Sequence, residues 1–432
     1  MPKSQKTPLF YYLYFTFFSV DSILFSMIQK LIAKEQRRQA TRINMIASEN
    51  TVSENVLRAM GSCLTNKYAE GYPNARYYAG NEITDLVEEY AVDLAKKLFH
   101  TEHANVQPHS GSQANQAAYM SVLKPGDTIL SMSLDAGGHL THGAKVSQTG
   151  KIYNIVQYGL DENGVLNYAE IEKLSKAHKP KMIIAGGSAY SLVIDFERIA
   201  NICKDVETNV RKLKSSKGDE RCYFLVDMAH FAGLVAAGLY PNPCKYADIV
   251  TSTTHKTLRG PRGGLILCKG ELAKAIDKAV FPGVQGGPLV HVIAAKAVCF
   301  EEAMQESFKT YIQNVINNTA YLARGVQEAG LKLISGGTQT HLFLIDLSDL
   351  DRTGKQIAEE LNERFGIVVN MNKIFNDKRK ATETSGIRVG LPFITNNKRV
   401  DKNVLDELRD IFAHVILGTP EPKIKYIKKA FR

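Results

Sequence analysis

A lysine placed just beyond a buried strand is the first residue here whose surroundings would change its chemistry. In Ala247 to Gly264, ADIVTSTTHKTLRGPRGG, an apolar run ends in hydroxyl residues, then His255 and Lys256, then a loop too rich in glycine and proline to be helix. Open α/β sheets bind ligands beyond the carboxyl ends of their strands. An amine desolvated there gives up its proton more readily and attacks carbonyl carbon. Most lysines are solvated surface charges, but the small and polar neighbours of Lys256 favour a chemical role. A second stretch, Tyr223 to Gly233 (YFLVDMAHFAG), delivers Asp227 at the end of an apolar strand and His230 three residues later. A buried carboxylate needs a cation or strong hydrogen bonds, and a pyridinium nitrogen is one such cation. Lysine, carboxylate and electron-poor ring together are what pyridoxal phosphate chemistry requires; the same D-x-x-H spacing suits a structural hydrogen-bonded pair equally well. The third stretch, Ser110 to Asn115 (SGSQAN), precedes an Ala-rich helical pattern. It offers hydroxyls and backbone N–H groups to an anion, or simply caps a helix. It carries neither nucleotide-loop glycine signature.

Elements of a definite kind must position these residues. Short apolar runs at Thr128 to Leu130, Met182 to Ala185, Cys222 to Val226, Asp248 to Val250 and Leu265 to Cys268 alternate with helical patterns such as Tyr168 to His178 and Arg198 to Lys212. Fully apolar strands alternating with helices predict an α/β fold with a mostly parallel sheet. Glu207 to Glu220, rich in Lys, Ser, Gly and Asp, reads as a surface loop around a helix end. One long helical stretch is expected from Val290 to Gln327, after the glycines at 283 to 287. Leu342 to Leu347 and Ile367 to Val369 then resemble strands of a smaller α+β unit, covered by a helix over Lys402 to Leu417. The expected division is an N-terminal extension and arm over 1–45, a large domain over 46–300 and a small domain over 301–432.

Composition narrows the function classes. With 432 residues, 44% hydrophobic and 23% charged, the chain is neither disordered nor fibrous. The net charge of +10 is spread along the chain, and runs such as Lys212 to Lys217 read as a solvated face, so no nucleic-acid role is assigned. Trp is absent, so an aromatic cofactor must be held by other side chains. Six cysteines stand singly, with no C-x-x-C, which points to a reducing cytoplasm rather than disulfides or thiolate zinc. His139 and His142 are three apart, but no third ligand of fitting spacing accompanies them, and no metal is expected. Leu9 to Val20 is apolar and aromatic but too short for a membrane span. With the helical pattern of Ser22 to Lys34, it is expected to pack on a partner subunit or to form an extension.

Longer stretches carry a resemblance. In order they are IASEN (Ile46 to Asn50), NKYAEGYP (Asn66 to Pro73), RYYAGNE (Arg76 to Glu82), NVQPHSGSQAN (Asn105 to Asn115), GGHLTHG (Gly137 to Gly143), VDMAHFAGLVAAG (Val226 to Gly238), TTHKTLRGPRGG (Thr253 to Gly264), FPGVQGGP (Phe281 to Pro288) and SGIRVG (Ser385 to Gly390). From about Asp21 onward the chain resembles serine hydroxymethyltransferase, a pyridoxal-phosphate enzyme of the aspartate-aminotransferase fold (fold type I). The resemblance implies reversible interconversion of serine and glycine, with the hydroxymethyl carbon passing to tetrahydrofolate, in a homodimer with shared active sites. By that resemblance Lys256 condenses with the cofactor aldehyde, Asp227 binds its ring nitrogen, His139 stacks on the ring and His230 contacts its phenolic oxygen. Ser110, Gly111 and Ser112 hold the phosphate, with Gly286 and Gly287 from the neighbouring subunit, while Ser188, Thr253 and His255 line the cofactor. Arg388 clamps the amino-acid carboxylate, a planar bidentate task. Ser48 and Arg262 belong to the substrate pocket, with Tyr68, Glu70 and Tyr78 from the partner. Glu70 handles the proton at the serine hydroxyl or the folate, and Leu134, Leu140 and Asn372 contact the folate.

The chain departs from the family text at Leu192, Gln339-Thr340, Phe375 and Ala381-Thr382, and the loop at 207–220 is longer than in typical bacterial members. None of these touches the cofactor set; the changes at Phe375 and Ala381 lie beside the expected folate contact. A folate-independent aldolase acting on threonine or related β-hydroxy amino acids is the alternative activity on the same cofactor.

Overall fold

The computed structural model describes residues 27–213 and 221–431. The chain divides into two units, Met1–Arg42 and Ile43–Arg432. In the first, a helix runs over Met27–Thr41, longer than the pattern to Lys34 predicted, and its apolar residues Met27, Ile28, Leu31 and Ile32 are exposed on one side. The run Leu9 to Val20 lies outside the described residues. Among the described residues no helix is long and apolar enough to cross a membrane.

In the second unit the five apolar runs become strands, and two unanticipated ones, the first and third below, join them. The seven-stranded central sheet comprises β1 His103–Asn105, β2 Thr128–Met132, β3 Asn154–Tyr158, β4 Met182–Gly186, β5 Tyr223–Asp227, β6 Ile249–Thr253 and β7 Gly264–Cys268. Their order is β1-β7-β6-β5-β4-β2-β3. β7 runs antiparallel to both neighbours and the other adjacent pairs are parallel. Side chains alternate across the pleat, and both faces of the central strands are covered, whereas the edge strand β3 is largely open. On β4, Ile183 and Ala185 join one buried cluster, while Met182 and Ile184 join another. That two-sided burial is why these strands read as unbroken apolar text. Helices Tyr168–His178 and Phe196–Leu213 connect β3 to β4 and β4 to β5.

The helix Phe196–Leu213 agrees with the helical pattern expected over Arg198 to Lys212, with Ile199, Ile202, Cys203 and Val206 buried at helical spacing; the rest of the expected loop lies outside the described residues. One expectation needs correction. The stretch from Val290 to Gln327 is two helices, Val290–Ala303 and Glu306–Glu328, because Gln305 adopts an extended backbone (φ −81°, ψ 146°) ahead of the second.

A second sheet contains β8 Lys332–Leu333, β9 Leu342–Asp346, β10 Asn370–Asn372 and β11 Gly386–Gly390, in the order β8-β9-β11-β10. The helix Lys402–Leu417 contributes Val404, Leu408, Ile411, Phe412 and Val415, one apolar stripe at helical spacing, to the buried cluster it shares with that sheet and with the helices Glu306–Glu328 and Gly354–Phe365. Ile367–Val368 is not part of that sheet and pairs in parallel with Ile43–Asn44. The helix Glu306–Glu328 serves both cores: Phe308, Ile312 and Val315 lie in the large one, Leu322, Ala323 and Val326 in the small one.

Candidate active site

The carboxyl ends of β5 and β6, adjacent and parallel, carry Asp227 and the turn that presents Lys256. Lys256 is 9% exposed. Burial lowers its ammonium pKa to about 8, with the charges of Arg388 and Arg262 adding to the effect and that of Asp227 opposing it. Its carbonyl accepts the Asn50 amide at 2.9 Å, so the IASEN segment fixes the backbone of the turn.

Asp227 is the most densely bonded acid of the cleft. Its Oδ1 accepts the Ala229 N–H at 3.0 Å, and its Oδ2 accepts Asn115 Nδ2 at 2.9 Å and His142 Nε2 at 3.0 Å. The backbone N–H of His139 donates to His142 Nδ1 at 3.1 Å, so the proton of a neutral His142 sits on Nε2, facing the carboxylate. Burial alone would raise the Asp227 pKa, but the His142 hydrogen bond and charge, His139 and Asn115 hold it below the ordinary carboxylate range. Asn115 is held in turn, accepting from Thr251 Oγ1 at 2.6 Å and donating to Thr141 Oγ1 at 2.8 Å. His139 bonds Thr141 through Nδ1, and burial lowers its pKa to about 4.

Asp227 and His230 are therefore not the bonded pair that D-x-x-H allowed. His230 stacks on His341, with centroids 5.4 Å apart and an Nδ1–Nε2 separation of 3.2 Å. Burial keeps both neutral, the His341 pKa falling to about 3. The two rings bridge the large sheet and the segment ahead of β9. Arg388, on β11, reaches across the same boundary: Nη1 donates to the Ser188 carbonyl and Nε to Asn370 Oδ1 at 3.1 Å. Gly390 makes room for Ala47, since a Cβ there would stand 2.3 Å from the Ala47 Cα, and this brings Ser48 beside the Arg388 strand.

Ser110 caps the helix Gly111–Val122, its hydroxyl accepting the Gln113 N–H, while Gly111 lies against Thr253 and Ser112 is exposed in the first turn. Thr253 is buried at the end of β6 with Oγ1 towards the Ala229 carbonyl. His255 Nδ1 is buried without a partner among the described residues, and burial lowers the His255 pKa to about 3. Leu134 and Leu140 are exposed, Arg262 is exposed with its charge felt at Lys256, and Asn372 lies on β10 with its amide on the Lys373 carbonyl.

Tyr68, Glu70, Tyr78, Gly286 and Gly287 form a second cluster, which meets the segment ahead of Ser110 where the His109 ring lies 3.3 Å from the Gly287 carbonyl. Tyr68 and Tyr78 meet edge to face at 5.2 Å, and a Cβ on Gly286 would lie 3.4 Å from Glu70 Oε1. Tyr68 is 58% exposed and Tyr78 48%. On the helix Glu82–Phe99 the apolar Ile83, Leu86 and Tyr90 are exposed on one face at helical spacing.

His142, Asn115, Thr141 and His341 were missed by sequence reasoning. His142 was considered only as a metal ligand; both its ring nitrogens are engaged, by His139 N–H and Asp227. The signal was present in GGHLTHG, but nothing in the text says which acid it faces. The departures from the family text fit locally. Gln339 accepts the Val193 N–H at 2.8 Å, and the ring of Phe375 fills the space left beside Gly159.

The donor set fits pyridoxal phosphate. A carboxylate offers about four acceptor directions; Asp227 spends three on the protein, leaving one for a protonated ring nitrogen. An amine with its pKa near 8 suits condensation with an aldehyde, and the N-terminus of a twelve-residue helix suits a phosphate.

Two comparisons bear on the chain. The family model described as serine hydroxymethyltransferase matches residues 24–411. A curated serine hydroxymethyltransferase of Coprothermobacter proteolyticus is 55% identical over 389 residues, which cover 89% of this chain and 90% of that protein.

Proposed function

The chain belongs to the serine hydroxymethyltransferase family, and we propose that two copies divide the labour of each active site. It is a fold type I, pyridoxal-phosphate-dependent transferase that interconverts serine and glycine and exchanges the one-carbon unit with tetrahydrofolate. When bound, the cofactor supplies an electron-withdrawing ring that stabilises the charge left as the serine Cα–Cβ bond breaks.

One protomer contributes Lys256 to hold the cofactor, Asp227 to keep the proton on its ring nitrogen, and His139 against the ring face. His230, His255, Ser188 and Thr253 line it, with Ser110 to Ser112 at the phosphate. Arg388 fixes the substrate carboxylate, with Ser48 and Arg262 beside it. The partner contributes Tyr68, Glu70, Tyr78, Gly286 and Gly287, and Glu70 moves the proton at the serine hydroxyl or the folate. Leu134, Leu140 and Asn372 flank the folate. Residues 46–300 form the cofactor-holding part and 301–432 the part that brings Arg388.

The observation that supports this division is that half-buried Glu70, beside the exposed Tyr68 and Tyr78, is not among the charges that act on Lys256 of its own chain. The charges acting on Lys256 come from Asp227, Arg388 and Arg262, while Glu70 stands with Tyr68 beside Gly286 and Gly287. The exposed Tyr68, Tyr78, Ile83, Leu86 and Tyr90 supply apolar surface for a homodimer contact. Six single thiols, four of them buried, suit a reducing cytoplasm.

Subunit complementation tests it. Lys256→Ala and Glu70→Gln homodimers are each inactive in folate-dependent turnover. Mixed and re-associated at random, they regain about a quarter of wild-type activity, because each heterodimer rebuilds one complete site. No recovery in demonstrated heterodimers would refute the shared site.

A further inference from the structure

A buried cation with no place in this chemistry lies behind the cleft. Lys296, on the helix Val290–Ala303, is 1% exposed. Its Nζ donates to three carbonyls, Val106 at 2.6 Å, Pro108 at 3.0 Å and Gly264 at 2.7 Å. That is the full donor capacity of an ammonium. Among the described residues no carboxylate pairs with it; burial lowers its pKa to about 7, opposed by the charge of Glu88.

The three carbonyls belong to the two segments that deliver the site. Val106 and Pro108 follow β1 and lead to Ser110. Gly264 opens β7 opposite Thr253, at the foot of the turn that carries Lys256. The segments touch with no room to spare. A Cβ on Gly264 would stand 2.3 Å from the Ser110 carbonyl oxygen, and one on Gly111 would stand 2.6 Å from Thr253 Cγ2. The Gly264 N–H also donates to the Pro108 carbonyl at 2.9 Å. Without the ammonium, three carbonyl dipoles that converge on one point would repel one another, with the Pro108 carbonyl alone keeping the Gly264 N–H.

We propose that Lys296 is a positioning residue for the phosphate-binding turn, tying the segment ahead of Ser110 to the β6–β7 pair so that the Ser110–Ser112 donors converge on the cofactor's phosphate. The proposal rests on the reading of that turn as the phosphate site. Its consequence is selective: loss of Lys296 weakens the grip on the phosphate and leaves the grip on the ring.

The test is direct binding to the full-length chain stripped of cofactor, using pyridoxal phosphate and phosphate-free pyridoxal as paired probes. In Lys296→Met the preference for pyridoxal phosphate over pyridoxal narrows about tenfold, the equivalent of one charge-assisted hydrogen bond, while pyridoxal affinity stays within about twofold of wild type. A lower melting temperature with the preference unchanged would mean a purely structural role and overturn the proposal. Wild-type chain that does not distinguish the two probes would instead refute the phosphate site. Should Lys296→Met not fold, Gly263→Ala serves, since its Cβ would stand 2.5 Å from Lys296 Cε and push the flexible end of the lysine aside. It narrows the preference in the same direction by a smaller factor, and an unchanged preference overturns the proposal.

Discussion

Arg388→Lys tests the geometry of the carboxylate clamp proposed for Arg388. The guanidinium has five N–H donors, of which Ser188 and Asn370 each take one. Three remain, enough for both oxygens of an amino-acid carboxylate. A lysine ammonium has three donors on one atom, so keeping both protein partners leaves one for the substrate. The change therefore removes one arm of a bidentate contact. A hydrogen bond to a charged group contributes about 1.5–3 kcal/mol, which corresponds to serine and glycine binding about ten- to a hundredfold more weakly. Burial lowers the Arg388 pKa to about 10, so the guanidinium is cationic at neutral pH. Titration of serine and glycine, followed by the visible absorbance of the bound cofactor, reads the affinity directly. Cofactor binding itself stays as in wild type, since Arg388 bonds no residue of the Asp227 network. Serine affinity within about twofold of wild type would refute the donor count and the assignment of Arg388 to the carboxylate.

Two other perturbations test the electrostatics. Lys256 has a folded pKa of about 8 against an ordinary 10.5, so in the cofactor-free protein its buried charge costs stability in full below pH 8, and the cost fades as pH rises towards 10.5. Lys256→Met apoprotein is therefore expected to be about 3 kcal/mol more stable than wild-type apoprotein at pH 7, with the gap closing through that window in denaturant melts; a gap independent of pH would contradict the buried-charge reading. His142→Phe removes the Nε2–H donor to Asp227 and is expected to destabilise the apoprotein by about 1.5–3 kcal/mol. In an Asp227→Asn background it costs much less, and equal losses in both backgrounds would show that the pair is not coupled.

The amino-acid text by itself determined the strands and the residues at their ends. Two-sided burial makes β4 and β5 continuous apolar runs and β6 an apolar run that ends in buried hydroxyls, and a strand that stops must deliver whatever follows, so Asp227 and Lys256 could be found from local pattern alone. Ser110 was legible as a helix cap because capping is decided within three residues. The break at Gln305 was not legible, since backbone state at an element's end depends on what packs there. Only the tertiary structure decided which groups meet. Asp227 faces His142, 85 residues away, and not His230; His230 stacks on His341, 111 residues away; Arg388 reaches Ser188 across 200. Lys296 carried no motif at all, because its partners are backbone carbonyls, which every residue possesses and no sequence distinguishes. Local propensity is written in neighbouring side chains, whereas the pairing of buried polar groups follows from strand order and layer packing, which are set by the whole chain at once.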